Sequence, residues 1–288
     1  MQGISDITKS IDNATVKKIF GNKNNAIGYL VALSGDQHKK AFFNRYKSDA
    51  LYLEIAKTWN YKKALLLIRN IFTTTTKYGN GKEGNEAIGA LLEEWQKLGF
   101  GKVEWPFSQG AFDAFVQSIN SEALDRKSKD DKIKIAAVKY RRIKEINTVR
   151  NDFLETLIFE KNTNIIPTLS HSRGVDFFIN GISYDQKVAK SPTAEFKKDF
   201  GDNWRDEALK NPTKVAEYLY SLQDEGRFGA EPRLFIVYLD EDIAPSRVEE
   251  IIAKSDLKNP LKVAFEFEHA KTGRQTYKTF CFVVLLYN

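Results

Sequence analysis

The stretch GVDFFINGISYDQKVAKS, Gly174 to Ser191, predicts a β-hairpin. Asn180-Gly181 is the dipeptide expected at a tight turn between two strands, so the strands are predicted over residues 175–179 and 182–189. Both segments are rich in apolar residues, yet they carry Asp176, Asp185 and Lys187. Burying an unpaired charge costs several kcal/mol, so this cluster indicates that the three side chains have partners or a chemical purpose.

The alternation of side chains along a strand predicts where these charges point. Asp185 and Lys187 are two residues apart and therefore share one face, whereas their apolar and amide neighbours take the other face. Asp176 lies on the adjacent strand, where its carboxylate is expected to approach that of Asp185. Two carboxylates in such a position repel each other unless a cation lies between them. Hard oxygen ligands without a nearby histidine or thiol suit Mg²⁺, with Mn²⁺ as a possible substitute.

The same residues carry a family resemblance. Asp176, followed nine positions later by Asp185-Gln186-Lys187, is similar to the signature of the PD-(D/E)xK nuclease superfamily, the restriction-endonuclease-like fold. The resemblance covers roughly residues 140–240 and implies an α/β fold with a mixed central β-sheet flanked by helices. It also implies that Asp176 and Asp185 hold Mg²⁺ and that Lys187 assists the attacking water during hydrolysis of a phosphodiester bond.

A glutamate on a preceding helix often joins the metal site in that family. Glu155 is the first choice, as both catalytic residue and metal ligand, because it lies near the end of the helix that leads to the hairpin. Glu145 is the second choice, and an ordinary solvated glutamate is an equal alternative for either.

The distribution of charge suggests a polyanionic partner. The formal net charge of the chain is +6, and the segment from Arg126 to Lys144 carries nine Lys and Arg residues against two Asp residues. Such a clustered basic patch suits phosphate contact, although a solvated helix face is the alternative. The residues expected to contact DNA are Lys139, Arg141 and Arg142 on this helix, and Lys190, Ser191 and Thr193 just after the hairpin.

Composition excludes several other classes of protein. The 42% hydrophobic and 28% charged content is typical of a globular chain, and no apolar run reaches the roughly 18 residues of a membrane span. The first residues lack the features of a signal peptide, so a cytoplasmic location without membrane contact is expected. Cys281 is the only cysteine, which excludes an intramolecular disulfide or a thiolate zinc cage, and a buried inert thiol is predicted there.

Two regions are predicted along the chain. Residues 1–130 are predicted to form a mostly helical N-terminal region that binds DNA or has an accessory role. Within it, helices are expected over 85–98 and 108–120, a loop over 73–85 and a connection over 121–131. Residues 131–288 read as the nuclease core. A long helix is expected from Lys132 to about Lys161, with further strands over 233–240, 261–269 and 276–287 and a helix before the first of these.

The sequence therefore favours a Mg²⁺-dependent endonuclease acting on double-stranded DNA, most similar to a type II restriction endonuclease. The resemblance alone implies a homodimer, because a two-fold protein matches a palindromic site. A structure-specific, repair or phage-defence nuclease of the same fold is one alternative. A non-catalytic nucleic-acid-binding protein, in which the hairpin charges serve only stability, is another.

Overall fold

The computed structural model describes residues 6–35, 44–75, 81–99, 109–170, 174–240 and 242–288. These residues form a mixed α/β structure around one six-stranded sheet with strand order β1-β2-β3-β4-β6-β5. Strand β2 is antiparallel to both of its neighbours, β1 and β3. Strand β3 runs parallel to β4 and β4 to β6, and β5 is antiparallel to β6 at the far edge. The strands are β1 Ile165–Pro167, β2 Phe177–Ile179, β3 Ile182–Ala189, β4 Arg233–Tyr238, β5 Leu261–His269 and β6 Gly273–Leu286.

The predicted hairpin is confirmed, with one correction. Asn180 and Gly181 both have positive φ, 52° and 85°, as a two-residue turn of this handedness requires. A side chain at Gly181 would also collide with Thr8, because a built Cβ lies 2.5 Å from the Thr8 methyl carbon. Strand β3 has the predicted bounds, but β2 begins at Phe177 rather than at residue 175, so Asp176 stands just before the strand.

The helices surround this sheet, and most lie in the N-terminal half. In chain order they are α1 Asn13–Phe20, α2 Lys23–Ser34, α3 Ser48–Lys57, α4 Tyr61–Thr75, α5 Gly81–Lys97, α6 Gln109–Ser121, α7 Arg126–Lys161, α8 Ala194–Phe200, α9 Trp204–Lys210, α10 Pro212–Ser221 and α11 Pro245–Lys254. Two predicted boundaries are wrong. Helices α4 and α5 both extend into the segment predicted as a loop over 73–85, and the centre of that segment, 76–80, lies outside the described residues.

The long helix α7 begins earlier than predicted, at Arg126 instead of Lys132. Asp125 explains this start, because its carboxylate accepts a hydrogen bond from the Ser128 amide at 3.0 Å and so caps the first turn. The predicted division between residues 130 and 131 therefore falls inside a helix. The apolar face of α7 is buried as predicted, through Ile146, Val149, Phe153 and Leu157.

Three apolar clusters pack on the sheet. Helices α7 and α11 cover one face, where Tyr184 of β3 contacts residues of α7 and β4. On the other face, Phe178 of β2 packs among α1 to α4, and Phe235 of β4 packs among α8 to α10. The odd-numbered residues of β3 point to this second face, because Phe178 pairs with Ser183 in the antiparallel register. Asp185 and Lys187 thus lie between the N-terminal helices and the α8–α10 layer.

Arg69 of α4 joins the N-terminal helices to the end of α7. Its guanidinium donates to the carbonyl oxygens of Phe159, Asn162 and Ile165 at 3.0, 2.8 and 3.3 Å, and it lies 4.2 Å from the centroid of the Phe159 ring. The last carbonyls of a helix have no intrahelical donors, so this contact satisfies groups that would otherwise need water.

Two further sequence expectations concern Cys281 and the membrane. Cys281 is buried in the sheet, as predicted, and burial raises the pKa of its thiol to about 12, which disfavours the thiolate. No helix in the described ranges has both the length and the apolar composition required to cross a bilayer.

We expect Arg69→Met to lower the free energy of unfolding by about 2 kcal/mol, because it removes a charged donor from the carbonyl oxygens at the end of α7. Urea denaturation followed by circular dichroism measures the change. Arg126→Met, at an exposed position in the first turn of α7, is the control and should change the free energy by less than about 0.5 kcal/mol. Equal effects of the two substitutions would contradict the role of Arg69.

Candidate active site

Asp176, just before the first residue of β2, completes the hydrogen bonding of β3. Its amide donates to the Tyr184 carbonyl at 2.9 Å, and its carboxylate Oδ2 accepts from the Gln186 amide at 2.6 Å. Strand β2 has no residue left to pair with Gln186, so the side chain of Asp176 substitutes for a strand partner. The carboxylate of Asp176 therefore meets β3 between the residues that carry Asp185 and Lys187.

Asp185 lies between two cations. Lys187 Nζ is 2.6 Å from Asp185 Oδ2, which confirms that the two side chains share a face, and Arg233 Nε is 3.7 Å from the same oxygen. The Asp185 side chain is 12% exposed and that of Lys187 is 50% exposed. A buried carboxylate of this kind is tolerated because cations lie beside it, and the more exposed of the two cations is the lysine.

Arg233 is a functional candidate that the sequence analysis missed. It is the first residue of β4 and stands opposite Asp185 in the parallel register. Its Nε is buried and has no hydrogen-bond acceptor within the described part of the chain. An unsatisfied buried donor costs about 1–3 kcal/mol, which the fold by itself does not explain. The only sequence signal was a charged residue at the start of an otherwise apolar strand.

Glu155 on α7 contributes a third carboxyl group to this region. Burial raises its pKa to about 8, and the negative charges of Asp176 and then Asp152 add to the effect. Glu155 is therefore close enough to Asp176 for their charges to interact. At neutral pH the group is mostly protonated, and a cation beside it would favour the ionised form.

Glu145, the alternative to Glu155, is engaged elsewhere. Its carboxylate lies 3.6 Å from Arg141 and 3.5 Å from Arg142 on the same helix. Arg142 also forms an ion pair with Glu94 of α5. Ten residues of helix correspond to about 15 Å of rise, so Glu145 and Glu155 cannot serve the same site.

The residues expected to contact DNA have varied surroundings. Arg141 and Arg142 are paired with acids as described, and Lys139 also has an interaction within the protein. Thr193 caps α8 by accepting from the Phe196 amide at 3.1 Å, and the Ser191 hydroxyl donates to the Pro192 carbonyl at 2.7 Å. Lys190 is exposed beside them. The cap at Thr193 is a structural role that the sequence analysis did not assign.

The donor set fits a hard cation in part. Within the described ranges, no three acidic, histidine or cysteine side chains converge so as to enclose a metal ion. Mg²⁺ is commonly held by only one or two carboxylates and keeps several waters, so Asp176 and Asp185 suffice in number. The side-chain oxygen of Gln186, between Asp185 and Lys187, is buried and has no hydrogen-bond partner in the part of the chain described. This side chain points to the opposite face of β3 from Asp185 and Lys187, so its oxygen does not belong to the donor set of the ion.

Comparison with known proteins does not identify the chain. No family model matches it, and neither the curated proteins nor the solved structures compared with it gave a significant match.

The raised pKa of Glu155 predicts how the free energy of unfolding depends on pH. Its value in the folded protein, about 8, is above the usual 4.5, so the folded state binds an extra proton between these two pH values. The corresponding stability is fully present below pH 4.5 and is lost as the pH rises through about 8. Without divalent ions, Glu155→Gln should match the wild type at pH 4.5 and exceed its free energy of unfolding by more than about 1 kcal/mol above pH 8.

Urea denaturation at several pH values, with EDTA present, measures this difference. Glu145→Gln, in exposed ion pairs on the same helix, is the matched control, and its difference from the wild type should vary little with pH over this range. A constant difference between Glu155→Gln and the wild type from pH 4.5 to 9 would refute the prediction.

Proposed function

We propose that the chain is a Mg²⁺-dependent endonuclease of the PD-(D/E)xK type, similar to a type II restriction endonuclease, that hydrolyses double-stranded DNA. The observation that carries the proposal is the meeting of the Asp176 carboxylate with β3 beside Asp185 and Lys187. The interaction of Glu155 with Asp176 supports it, because two partly buried acids close to each other repel unless a cation is present.

Each residue has a separate role in this proposal. Asp176 and Asp185 would hold the ion, and Glu155 would join them once it has lost its proton. Lys187 would leave Asp185 and orient the attacking water or stabilise negative charge on the phosphate, as its half-exposed side chain allows. When bound, Mg²⁺ supplies Lewis-acid polarisation of the phosphate and lowers the pKa of its water.

DNA is the proposed partner. The basic segment of α7 supports this. Some of its cations already have acidic partners: Lys132 pairs with Glu122, Arg141 with Glu145 and Arg142 with Glu94. Contact with DNA would therefore use other cations of the segment. A homodimer belongs to the same proposal, because two sites related by a two-fold axis cut both strands of a palindromic duplex.

Cleavage of plasmid DNA tests the activity. With Mg²⁺ the wild type should cut, with EDTA it should not, and Lys187→Ala, Asp185→Asn and Asp176→Asn should each lower the rate by about 100-fold or more. Asp176→Asn is informative because its side-chain oxygen still accepts from the Gln186 amide while the charge is removed. Lys271→Ala and Asp206→Asn, at exposed positions away from the hairpin, are the matched controls and should cut at the wild-type rate.

The products separate the related functions. Discrete fragments support restriction, whereas smearing or nicks that depend on DNA structure support a repair or phage-defence nuclease of the same fold. Intact DNA that nevertheless shifts in a gel would replace the proposal with a non-catalytic binding protein. The ion pair between Asp185 and Lys187 would then be purely structural.

Metal binding can be measured without DNA. At pH 8, Mg²⁺ at 100 times its dissociation constant should stabilise the wild type by about 2.7 kcal/mol and raise its unfolding temperature. Asp185→Asn should abolish most of this rise, and Asp206→Asn should preserve it. An unfolding temperature of the wild type that does not respond to Mg²⁺ would argue against the proposed site.

A further inference from the structure

Arg233 and Lys187 approach the same oxygen of Asp185 but differ in freedom. The Lys187 side chain is half exposed, whereas that of Arg233 is 7% exposed. Lys187 Nζ is at hydrogen-bond distance, 2.6 Å, and Arg233 Nε stands farther off at 3.7 Å. One cation can therefore leave the carboxylate, and the other stays in place.

Arg233 is fixed by a second set of contacts behind the site. Its Nη2 donates to the Gln223 side-chain oxygen at 2.7 Å, and its guanidinium lies 5.1 Å from the centroid of the Tyr220 ring. Gln223 is itself held, because its Nε2 donates to the Tyr220 carbonyl at 2.6 Å and its Oε1 accepts from the Gly229 amide at 3.1 Å. Gly229 keeps this space open, since a built Cβ there would lie 3.1 Å from Arg233 Nη2.

The Nε of the guanidinium lies toward Asp185 and has no acceptor within the described residues. A donor that is buried, fixed and unsatisfied 3.7 Å from a carboxylate oxygen is placed to donate a hydrogen bond to that oxygen after a small movement. If Lys187 leaves this oxygen, Arg233 is the cation that remains beside it.

We propose that Arg233 is a positioning residue for Asp185. It neutralises and orients Oδ2 when Lys187 turns away to serve the reaction, so that the other carboxylate oxygen is presented to Mg²⁺. This inference rests on the proposed nuclease function and adds a residue and an anchor, Gln223, that the PD-(D/E)xK signature does not contain.

The experiment measures the half-saturating Mg²⁺ concentration from the rise in unfolding temperature of the full chain, together with the rate of plasmid cleavage. Residues that hydrogen-bond a metal ligand typically change metal affinity or activity by about 10- to 100-fold when they are replaced. Arg233→Gln should therefore raise the half-saturating Mg²⁺ concentration about tenfold or more and slow cleavage similarly. Arg233→Lys, which retains the charge, should have a half-saturating Mg²⁺ concentration within about threefold of the wild-type value. A merely structural arginine would change the unfolding temperature but not the concentration of Mg²⁺ required.

Two further variants guard the interpretation. Arg205→Gln removes a bidentate ion pair with Asp240, so it destabilises the fold away from Asp185 and should leave the Mg²⁺ requirement unchanged. Gln223→Met frees Arg233 from its anchor and should raise the requirement several-fold. If Arg233→Gln does not fold, Gln223→Met is the variant that tests the role of Arg233.

Three outcomes oppose the proposal. If Arg233→Gln requires the same half-saturating Mg²⁺ concentration as the wild type, the role of Arg233 is overturned and the nuclease proposal stays intact. Gln223→Met takes the place of Arg233→Gln in this comparison if Arg233→Gln does not fold. Failure of Arg233→Lys to improve on Arg233→Gln would show that the charge beside Asp185 is not what matters. A wild type that neither responds to Mg²⁺ nor cuts DNA would refute the nuclease proposal and this inference together.

Discussion

The late start of β2, at Phe177, is the constraint on which the site depends. Strand β2 has three residues and its partner β3 has eight, so the second half of β3 must find hydrogen-bond partners elsewhere. Strand β4 supplies them on one side, and the carboxylate of Asp176 supplies one on the other by accepting from Gln186. A buried amide without an acceptor is rare in proteins, so this bond fixes the carboxylate beside β3 whatever else it binds.

The acids around this point are stabilised in two different ways. Asp185 is paired with Lys187 and lies near Arg233, whereas burial and acidic neighbours raise the pKa of Glu155. The difference follows from position. Asp185 stands on a strand whose parallel neighbour brings an arginine beside it, and Glu155 is on a helix that packs over apolar residues of the sheet.

Much of the local structure was predictable, because it depends on neighbours in the sequence. The turn at Asn180-Gly181, the bounds of β3 and β5, and the buried face of α7 follow from residue preferences and periodicity. The errors occur where a signal was single and local. Asp125 caps α7 about two turns before the predicted start at Lys132. The residues from Gly81 to Gly84 belong to α5 although their composition indicates a loop.

The sequence by itself determined the hairpin and the common face of Asp185 and Lys187, since the alternation of a strand requires no information from elsewhere in the chain. Only the tertiary structure decided the remaining relations: that Glu155 rather than Glu145 lies near Asp176, that Arg233 stands beside Asp185, and that Glu94 and Glu145 neutralise Arg142. Most of these contacts join residues far apart in the chain. Strand register and helix packing set them, and periodicity in one sequence carries no record of either.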